Sequence, residues 1–128
     1  MIKFETSRFG KLEVSRDRII NFPVGLLGFP HLNRYVLMDY KDTPLKWLQS
    51  VDDPQVAFIV TDPKTASGEG TITFGSDVVR FLQIEKEEEL AVLIILRYED
   101  DKVVANMSGP LAINSSRMIG AQVILDQG

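Results

Sequence analysis

The stretch Leu45–Pro63 decides the fold, and it reads Leu-Lys-Trp-Leu-Gln-Ser-Val-Asp-Asp-Pro-Gln-Val-Ala-Phe-Ile-Val-Thr-Asp-Pro. It contains two apolar runs, Leu45–Val51 and Val56–Thr61, and the second is rich in the β-branched and aromatic residues that favour strands. Between the runs, Asp52-Asp53-Pro54 is typical of a turn, because Asp starts turns readily and Pro cannot lie inside a central strand. The stretch therefore predicts a β-hairpin with two adjacent carboxylates at its tip.

Further strand-like runs extend this central hairpin on both sides. Tyr35–Tyr40 precedes it, and Leu90–Tyr98 is apolar at both alternating positions, which is typical of a central strand. The remaining predicted strands are Ile2–Glu5, Lys11–Val14, Ile19–Phe22, Thr71–Phe74, Val103–Met107, Pro110–Ile113 and Ala121–Leu125. Short strands at this spacing, without alternation of strand and helix, favour an antiparallel barrel or a tightly curved sandwich.

One short helix completes the prediction. Ser76 is the expected N-cap, and Asp77 follows in the first turn, where the helix dipole favours a negative charge. The small, polar stretch 64–70 is interpreted as a flexible connection, and Trp47 and Phe58 as core residues. The predicted fold class is all-β and mainly antiparallel: a compact β-barrel-like single domain over residues 1–128, with one short helix.

Composition excludes several classes of function. The formal net charge of −4 and the pI near 4.9 argue against direct nucleic-acid binding, which requires phosphates to be neutralised, and favour a basic protein partner. With no cysteine and one histidine, His31, the usual zinc ligands and nucleophile–base pairs are missing. We therefore predict no catalytic residue, no metal, no cofactor and no enzymatic activity.

The sequence also predicts a location. Residues 1–6 lack the apolar core of a signal peptide, and the longest apolar run, Leu90–Leu96, is far shorter than a membrane-spanning helix. We expect a cytoplasmic protein that does not contact the membrane and is a monomer when free.

Acidic residues form three clusters along the chain. The first surrounds the central hairpin, and the others precede and follow the strand Leu90–Tyr98. Their members are Asp52, Asp53 and Asp62; Glu85, Glu87, Glu88 and Glu89; and Glu99, Asp100 and Asp101. Two interpretations stay open: solvated turns that keep the protein soluble, or an acidic face that steers a basic partner.

Four segments, in order along nearly the whole chain, resemble the FliW family of flagellar assembly factors. They are Phe22-Pro-Val-Gly-Leu-Leu-Gly-Phe29, Trp47-Leu-Gln-Ser-Val-Asp-Asp-Pro54, Ala57-Phe-Ile-Val-Thr-Asp-Pro63 and Ala105-Asn-Met-Ser-Gly-Pro-Leu-Ala-Ile-Asn114. The resemblance implies a cytoplasmic, non-enzymatic, β-barrel-like protein with two protein partners. One is flagellin, bound before export; the other is CsrA, a small dimeric RNA-binding translational repressor that the family antagonises. It also implies that free flagellin removes the protein from CsrA, so that repression of flagellin translation resumes.

The exposed turn residues Asp52, Asp53 and Gln55 are the main candidates for contact with a partner, and Asp62, Asn106 and Asn114 are added to them. For the two asparagines, capping of the backbone is an equally good interpretation. Two other functions stay open: a small β-barrel that binds RNA, or one that binds a small-molecule ligand. Salt-sensitive RNA binding would favour the first, and a ligand that raises thermal stability would favour the second.

Overall fold

The computed structural model describes residues 1–68 and 71–125. Within these ranges the chain forms short strands and two short helices. The elements are β1 (Ile2–Thr6), β2 (Gly10–Val14), β3 (Ile19–Asn21), β4 (Arg34–Asp39), β5 (Lys46–Ser50), β6 (Ala57–Thr61), α1 (Pro63–Ser67), α2 (Ser76–Phe81), β7 (Leu90–Glu99), β8 (Lys102–Ala105), β9 (Leu111–Asn114) and β10 (Ile119–Gln122). Among these described elements, neither helix has the length and apolar character needed to cross a membrane.

Seven of the strands close into a barrel. Their order is β6-β5-β4-β3-β10-β9-β7, and β7 pairs again with β6 to complete the circle. The pairings are antiparallel except for the short contact between β3 and β10. Strand β8 continues along β7 beyond the barrel, and β1 and β2 form a separate hairpin. The prediction of a mainly antiparallel, β-barrel-like fold is confirmed.

The central hairpin is present as β5 and β6. The two strands are antiparallel, with Leu48 opposite Phe58. Leu48 and Val60 are fully buried inside the barrel together with Tyr35, and Phe58 packs against this core. The predicted hairpin and the core position of Phe58 are therefore confirmed.

Trp47 lies on the other face of β5. It is opposite Met38 and Ile59 on the outside of the barrel, where it is half-buried. Its ring makes an edge-on contact with Phe9, at 5.9 Å between centroids, and Arg8 lies 4.7 Å from its centroid. The prediction of Trp47 as a core residue is wrong, because each face of β5 carries one large apolar side chain: Leu48 belongs to the barrel core, and Trp47 lies on the outer face against Phe9 of the β1–β2 turn.

The loop Phe22–Phe29 joins β3 to β4 and is built around one glycine. Gly25 has a φ of +70°, and a Cβ at this position would lie 2.3 Å from the carbonyl oxygen of Phe29. The backbone N–H of Gly25 donates to the carbonyl of Phe22 at 2.8 Å. Phe22 is fully buried and contacts Tyr35 edge-on at 5.5 Å, so the loop is attached to the barrel core.

The helices differ from the prediction in two respects. Gly75, rather than Ser76, is the N-cap of α2, although Asp77 does lie in the first turn as expected. Helix α1 was not predicted; it forms because Asp62 caps it and Pro63 occupies its first turn, where the missing N–H costs nothing. The described ranges therefore hold two short α-helices rather than one, besides single 3₁₀ turns at Arg16–Arg18 and Glu87–Glu89. Of the predicted flexible connection 64–70, the last two residues lie outside the described ranges.

Two predicted strands also need correction. Thr71–Phe74 is not a strand, because β6 pairs directly with β7 and leaves no place between them for another strand. The last strand is Ile119–Gln122 instead of Ala121–Leu125. It starts earlier because Met118, with a φ of 55° and an N–H bonded to the carbonyl of Asn114, ends a tight turn.

Candidate protein-binding surface

The turn between β5 and β6 presents Asp52, Asp53 and Gln55. The hydroxyl of Ser50 accepts hydrogen bonds from the backbone N–H groups of Asp52 and Asp53, at 3.2 and 3.0 Å. The Asp53 carboxylate accepts another from the N–H of Gln55, at 3.0 Å. These side-chain contacts satisfy backbone groups within the turn and hold it in one conformation.

A buried glutamine ties this turn to the strands below it. The side-chain amide of Gln49 donates to the carbonyls of Ser50 and Val56, at 3.0 and 3.2 Å. The carbonyl of Pro54 also accepts a bond from the N–H of Ser7 in the β1–β2 turn, at 2.8 Å. The turn that carries the carboxylates is therefore attached by hydrogen bonds to the adjoining ends of β5 and β6 and to the β1–β2 turn.

The two carboxylates differ in their electrostatic surroundings. Asp52 accepts two bonds from the Arg34 guanidinium, at 2.5 and 3.2 Å, and this hydrogen bonding raises the pKa of Arg34. Asp53 takes part in no ion pair with the described residues. Below the turn, burial raises the pKa of Tyr35 to about 12, and the two Asp charges add to the effect. Asp53, which is half-buried, is therefore the carboxylate of the turn whose charge is not balanced by an arginine, whereas Asp52 is more exposed but paired with Arg34.

A second acidic turn joins β7 to β8. Asp100 and Asp101 have φ values of 51° and 61°, as in the two-residue hairpin turns in which both central residues are left-handed. Glu99, opposite Lys102, pairs with the Arg97 side chain at 2.8 Å. The carboxylates of Asp100 and Asp101 are exposed and form no ion pair within the described ranges.

Strand pairing brings these two turns to the same end of the molecule. Because β6 and β7 are antiparallel, with Ile59 opposite Leu96, the start of β6 lies at the same end as the final residues of β7. We call this region the acidic end; it consists of Asp52, Asp53, Gln55, Glu99, Asp100 and Asp101.

The other members of the three acidic clusters lie at the opposite end. Asp62 follows β6, and Glu85–Glu89 precede β7, a strand whose ten residues span about 30 Å. Both groups bond to local backbone. Hydrogen bonds from Thr65 lower the pKa of Asp62, and those from the N–H groups of Glu85 and Lys86 lower the pKa of Glu89.

Asn114 is fully buried at the end of β9. Its amide nitrogen donates to the carbonyls of Leu82 and Gln83, at 2.8 and 3.2 Å. Its amide oxygen accepts from the backbone N–H groups of Ser116 and Arg117, at 2.9 and 3.1 Å. The side chain thus links α2 to the β9–β10 turn and, being buried, is not accessible to a partner.

The structure groups only some of the candidate residues. Asp52, Asp53 and Gln55 share one turn, whereas Asp62 lies at the far end of β6. Asn106 is half-buried in the segment between β8 and β9, and its N–H donates to the carbonyl of Ile95 at 2.9 Å. Three of the six candidates therefore form a surface.

Sequence reasoning missed an exposed apolar pair on the β7–β8 hairpin. Tyr98 and Val103 lie opposite each other and are 72% and 65% exposed. Both were interpreted only as strand residues. A two-residue turn at Asp100-Asp101 fixes their register, so recognising that turn would have predicted the pair.

A second apolar surface was also missed. Val24 and Leu27 of the β3–β4 loop are exposed beside Phe81 and Ile124. The loop is joined to β10 by a hydrogen bond from the N–H of Leu27 to the Gln122 side chain, at 2.8 Å. No group of three or more His, Asp or Glu residues that could hold a metal ion occurs in the ranges 1–68 and 71–125.

Comparisons with known proteins agree with one another. A family model described as FliW protein matches residues 3–128. The flagellar assembly factor FliW of Alkaliphilus metalliredigens is 33% identical over 126 residues, which cover 95% of this chain and 78% of the relative. That of Thermoanaerobacter pseudethanolicus is 33% identical over 98% of this chain and 86% of its own length. A crystal structure of the flagellar assembly factor FliW superimposes with a TM-score of 0.90 at 32% identity, over 98% of this chain and 90% of that one.

Proposed function

The chain belongs to the FliW family of flagellar assembly factors, and from this premise we propose that it binds flagellin and antagonises the translational repressor CsrA. In this proposal it is a cytoplasmic regulatory protein and not an enzyme. Flagellin and CsrA compete for it, so that its occupancy by flagellin releases CsrA to repress flagellin translation. The amount of free flagellin thereby controls its own synthesis.

The acidic end is the observation that supports a basic partner. Two turns that are far apart in sequence present exposed carboxylates at the same end of the barrel, in a protein whose net charge is −4. An RNA-binding protein such as CsrA must carry positive charge to neutralise phosphates. The acidic end would therefore attract it, accelerating encounter through complementary potentials.

The same charges offer a mechanism for antagonism. Carboxylates docked beside an RNA-binding surface repel the phosphate backbone, because like charges brought together disfavour binding. The protein would thus weaken RNA binding without occupying the RNA site itself. Direct RNA binding by this chain is disfavoured for the same reason.

The test is a calorimetric titration of the protein into CsrA, with and without flagellin. We expect saturable binding to CsrA that an excess of flagellin abolishes. If folded protein gave no heat with either partner, the proposed function would be wrong. If it bound both at once, the competition would be wrong and binding alone would stand.

Charge reversal then tests the acidic end. Asp53→Lys, alone and combined with Asp52→Lys, should weaken CsrA binding and antagonism. Asp42→Lys is the matched control: it makes the same charge change at an exposed residue of the β4–β5 turn, at the other end of β5. Circular dichroism should show that each variant is folded. Equal antagonism by the Asp53 and Asp42 variants would contradict the role of the acidic end.

A further inference from the structure

The outer edge of β8 has no strand beside it among the described residues. The two-residue turn decides which opposite residues of this hairpin are joined by backbone hydrogen bonds. Glu99 and Lys102 form the closing hydrogen-bonded pair, and every second pair after it is bonded in the same way. The N–H of Asn106 accordingly donates to the carbonyl of Ile95 at 2.9 Å. Backbone groups alternate in direction along an antiparallel strand, so those of Val103 point away from β7. Among the described residues, no hydrogen bond is made by the N–H or C=O of Val103, so both can pair with another strand.

The side chains next to this edge are apolar, whereas an exposed edge strand is usually protected by charged side chains. Val103 and its cross-strand partner Tyr98 are 65% and 72% exposed on the outer face of the hairpin. The next row on the same face contains Ala105, Leu96 and Ile59, all partly exposed. Natural proteins normally blunt an edge with short strands, lysines or inward charges, and here only the short length and Lys102 do so.

Charge complementarity indicates what would bind this edge. The edge begins beside Asp100 and Asp101 and lies at the acidic end, so an incoming strand meets carboxylates at its side. We propose that the outer edge of β8 binds an extended segment of a basic protein partner by strand addition. The segment carries apolar side chains at alternate positions, against Val103 and Ala105, and a Lys or Arg beside the acidic turn.

This inference rests on the proposed function, because it describes how the basic partner is held at the acidic end. Backbone hydrogen bonds would supply part of the affinity, and the apolar row and the carboxylates would supply selectivity. A second copy of this chain would instead bring the same acidic composition to the edge and no complementary charge.

The orientation of Val103 makes a sharp test possible. Val103→Pro removes the outward N–H and leaves the bonds between β8 and β7 in place, because proline is tolerated in an edge strand where its nitrogen faces solvent. Val103→Thr is the matched control, since it keeps the N–H and nearly the same shape. With CsrA as the probe in calorimetry, we expect about a tenfold loss of affinity for Val103→Pro and less than about a threefold loss for Val103→Thr.

Amide hydrogen exchange in the unaltered protein gives a second measurement that does not depend on folding of the proline variant. Binding of CsrA should slow exchange at Val103 and Ala105. Unchanged exchange at both amides, or equal losses for the Pro and Thr variants, would overturn strand addition while leaving the proposed function in place. Concentration-dependent dimers that Val103→Pro abolishes, without protection by CsrA, would assign the edge to self-association instead. No CsrA binding by the unaltered protein would overturn the proposed function and this inference together.

Discussion

At the scale of single residues, the hydroxyl of Tyr35 is a polar group with no hydrogen-bond partner among the described residues. The side chain is fully buried, and no described residue accepts or donates a hydrogen bond at its oxygen. Leaving such a group unpaired costs about 1–3 kcal/mol, so Tyr35→Phe should raise the free energy of unfolding by about 1 kcal/mol at pH 8. Urea denaturation measures this directly. A loss of stability would show that the hydroxyl has a partner, such as a buried water.

Tyr35 also predicts that the free energy of unfolding falls at alkaline pH. The pKa of Tyr35 is raised from 10.0 to about 12, so the unfolded chain loses the proton first. Its contribution to stability is therefore complete below pH 10 and is lost as the pH rises through 12. The advantage of Tyr35→Phe should grow between pH 8 and pH 11, measured by urea denaturation at about four pH values in that window. A constant difference would contradict the shifted pKa.

Asp62 predicts that the free energy of unfolding falls at acidic pH. Its pKa is lowered below 3.8 by hydrogen bonds from Thr65, so its contribution is present above that pH and is lost as the pH falls through the lowered value. Asp62→Ala should cost about 1 kcal/mol at pH 7, because it removes the cap of α1, and the difference should shrink below pH 3.8. Asp62→Asn is the control, since it keeps a capping oxygen without the charge. An unchanged cost for Asp62→Ala at pH 2.5 would mean that the carboxylate charge plays no part.

At the scale of elements, two glycines of the β3–β4 loop allow a matched comparison. Gly25 and Gly28 both have a positive φ, of 70° and 88°. A Cβ on Gly25 would overlap the carbonyl of Phe29, whereas one on Gly28 would meet nothing within 4 Å. Gly28→Ala should therefore cost about 1 kcal/mol for the backbone conformation, and Gly25→Ala at least about 1–2 kcal/mol more for the clash. Equal melting temperatures for the two variants would contradict the close approach.

Elements with local sequence signals could be predicted, whereas those that depend on closure of the barrel could not. The β5–β6 hairpin was predicted correctly because its signals are local: apolar runs on either side of Asp-Asp-Pro. Trp47 was misplaced because each face of its strand carries one large apolar residue, Trp47 or Leu48, and only the barrel decides which face lies inside. The prediction of a strand at Thr71–Phe74 was wrong for a similar reason. Its residues alternate as in a strand, but the pairing of β6 with β7 closes the barrel and leaves no strand for it to pair with.

At the scale of the whole molecule, the acidic end could not be predicted at all. The sequence shows three acidic clusters, and strand pairing alone brings Asp52 and Asp53 of the first to the same end as the third, while Asp62 and the second cluster lie at the other end. About 30 Å of β7 separates Glu87 and Glu88 from Asp100 and Asp101, several times the screening length of about 8 Å at physiological salt. The charges of Asp100 and Asp101 therefore act on a partner at the acidic end, whereas those of Glu87 and Glu88 are screened from it.

Paired neutralisation tests this separation. Asp100→Asn with Asp101→Asn keeps residues that tolerate a left-handed backbone, and Glu87→Gln with Glu88→Gln changes the net charge by the same amount. Stopped-flow association with CsrA at about 0.05 M salt should be roughly threefold slower for the Asn pair and unchanged for the Gln pair. Near 1 M salt, where the screening length is about 3 Å, the difference should vanish, because steering acts through unscreened charge. Equal slowing by both pairs would mean that net charge, and not its place on the barrel, controls encounter.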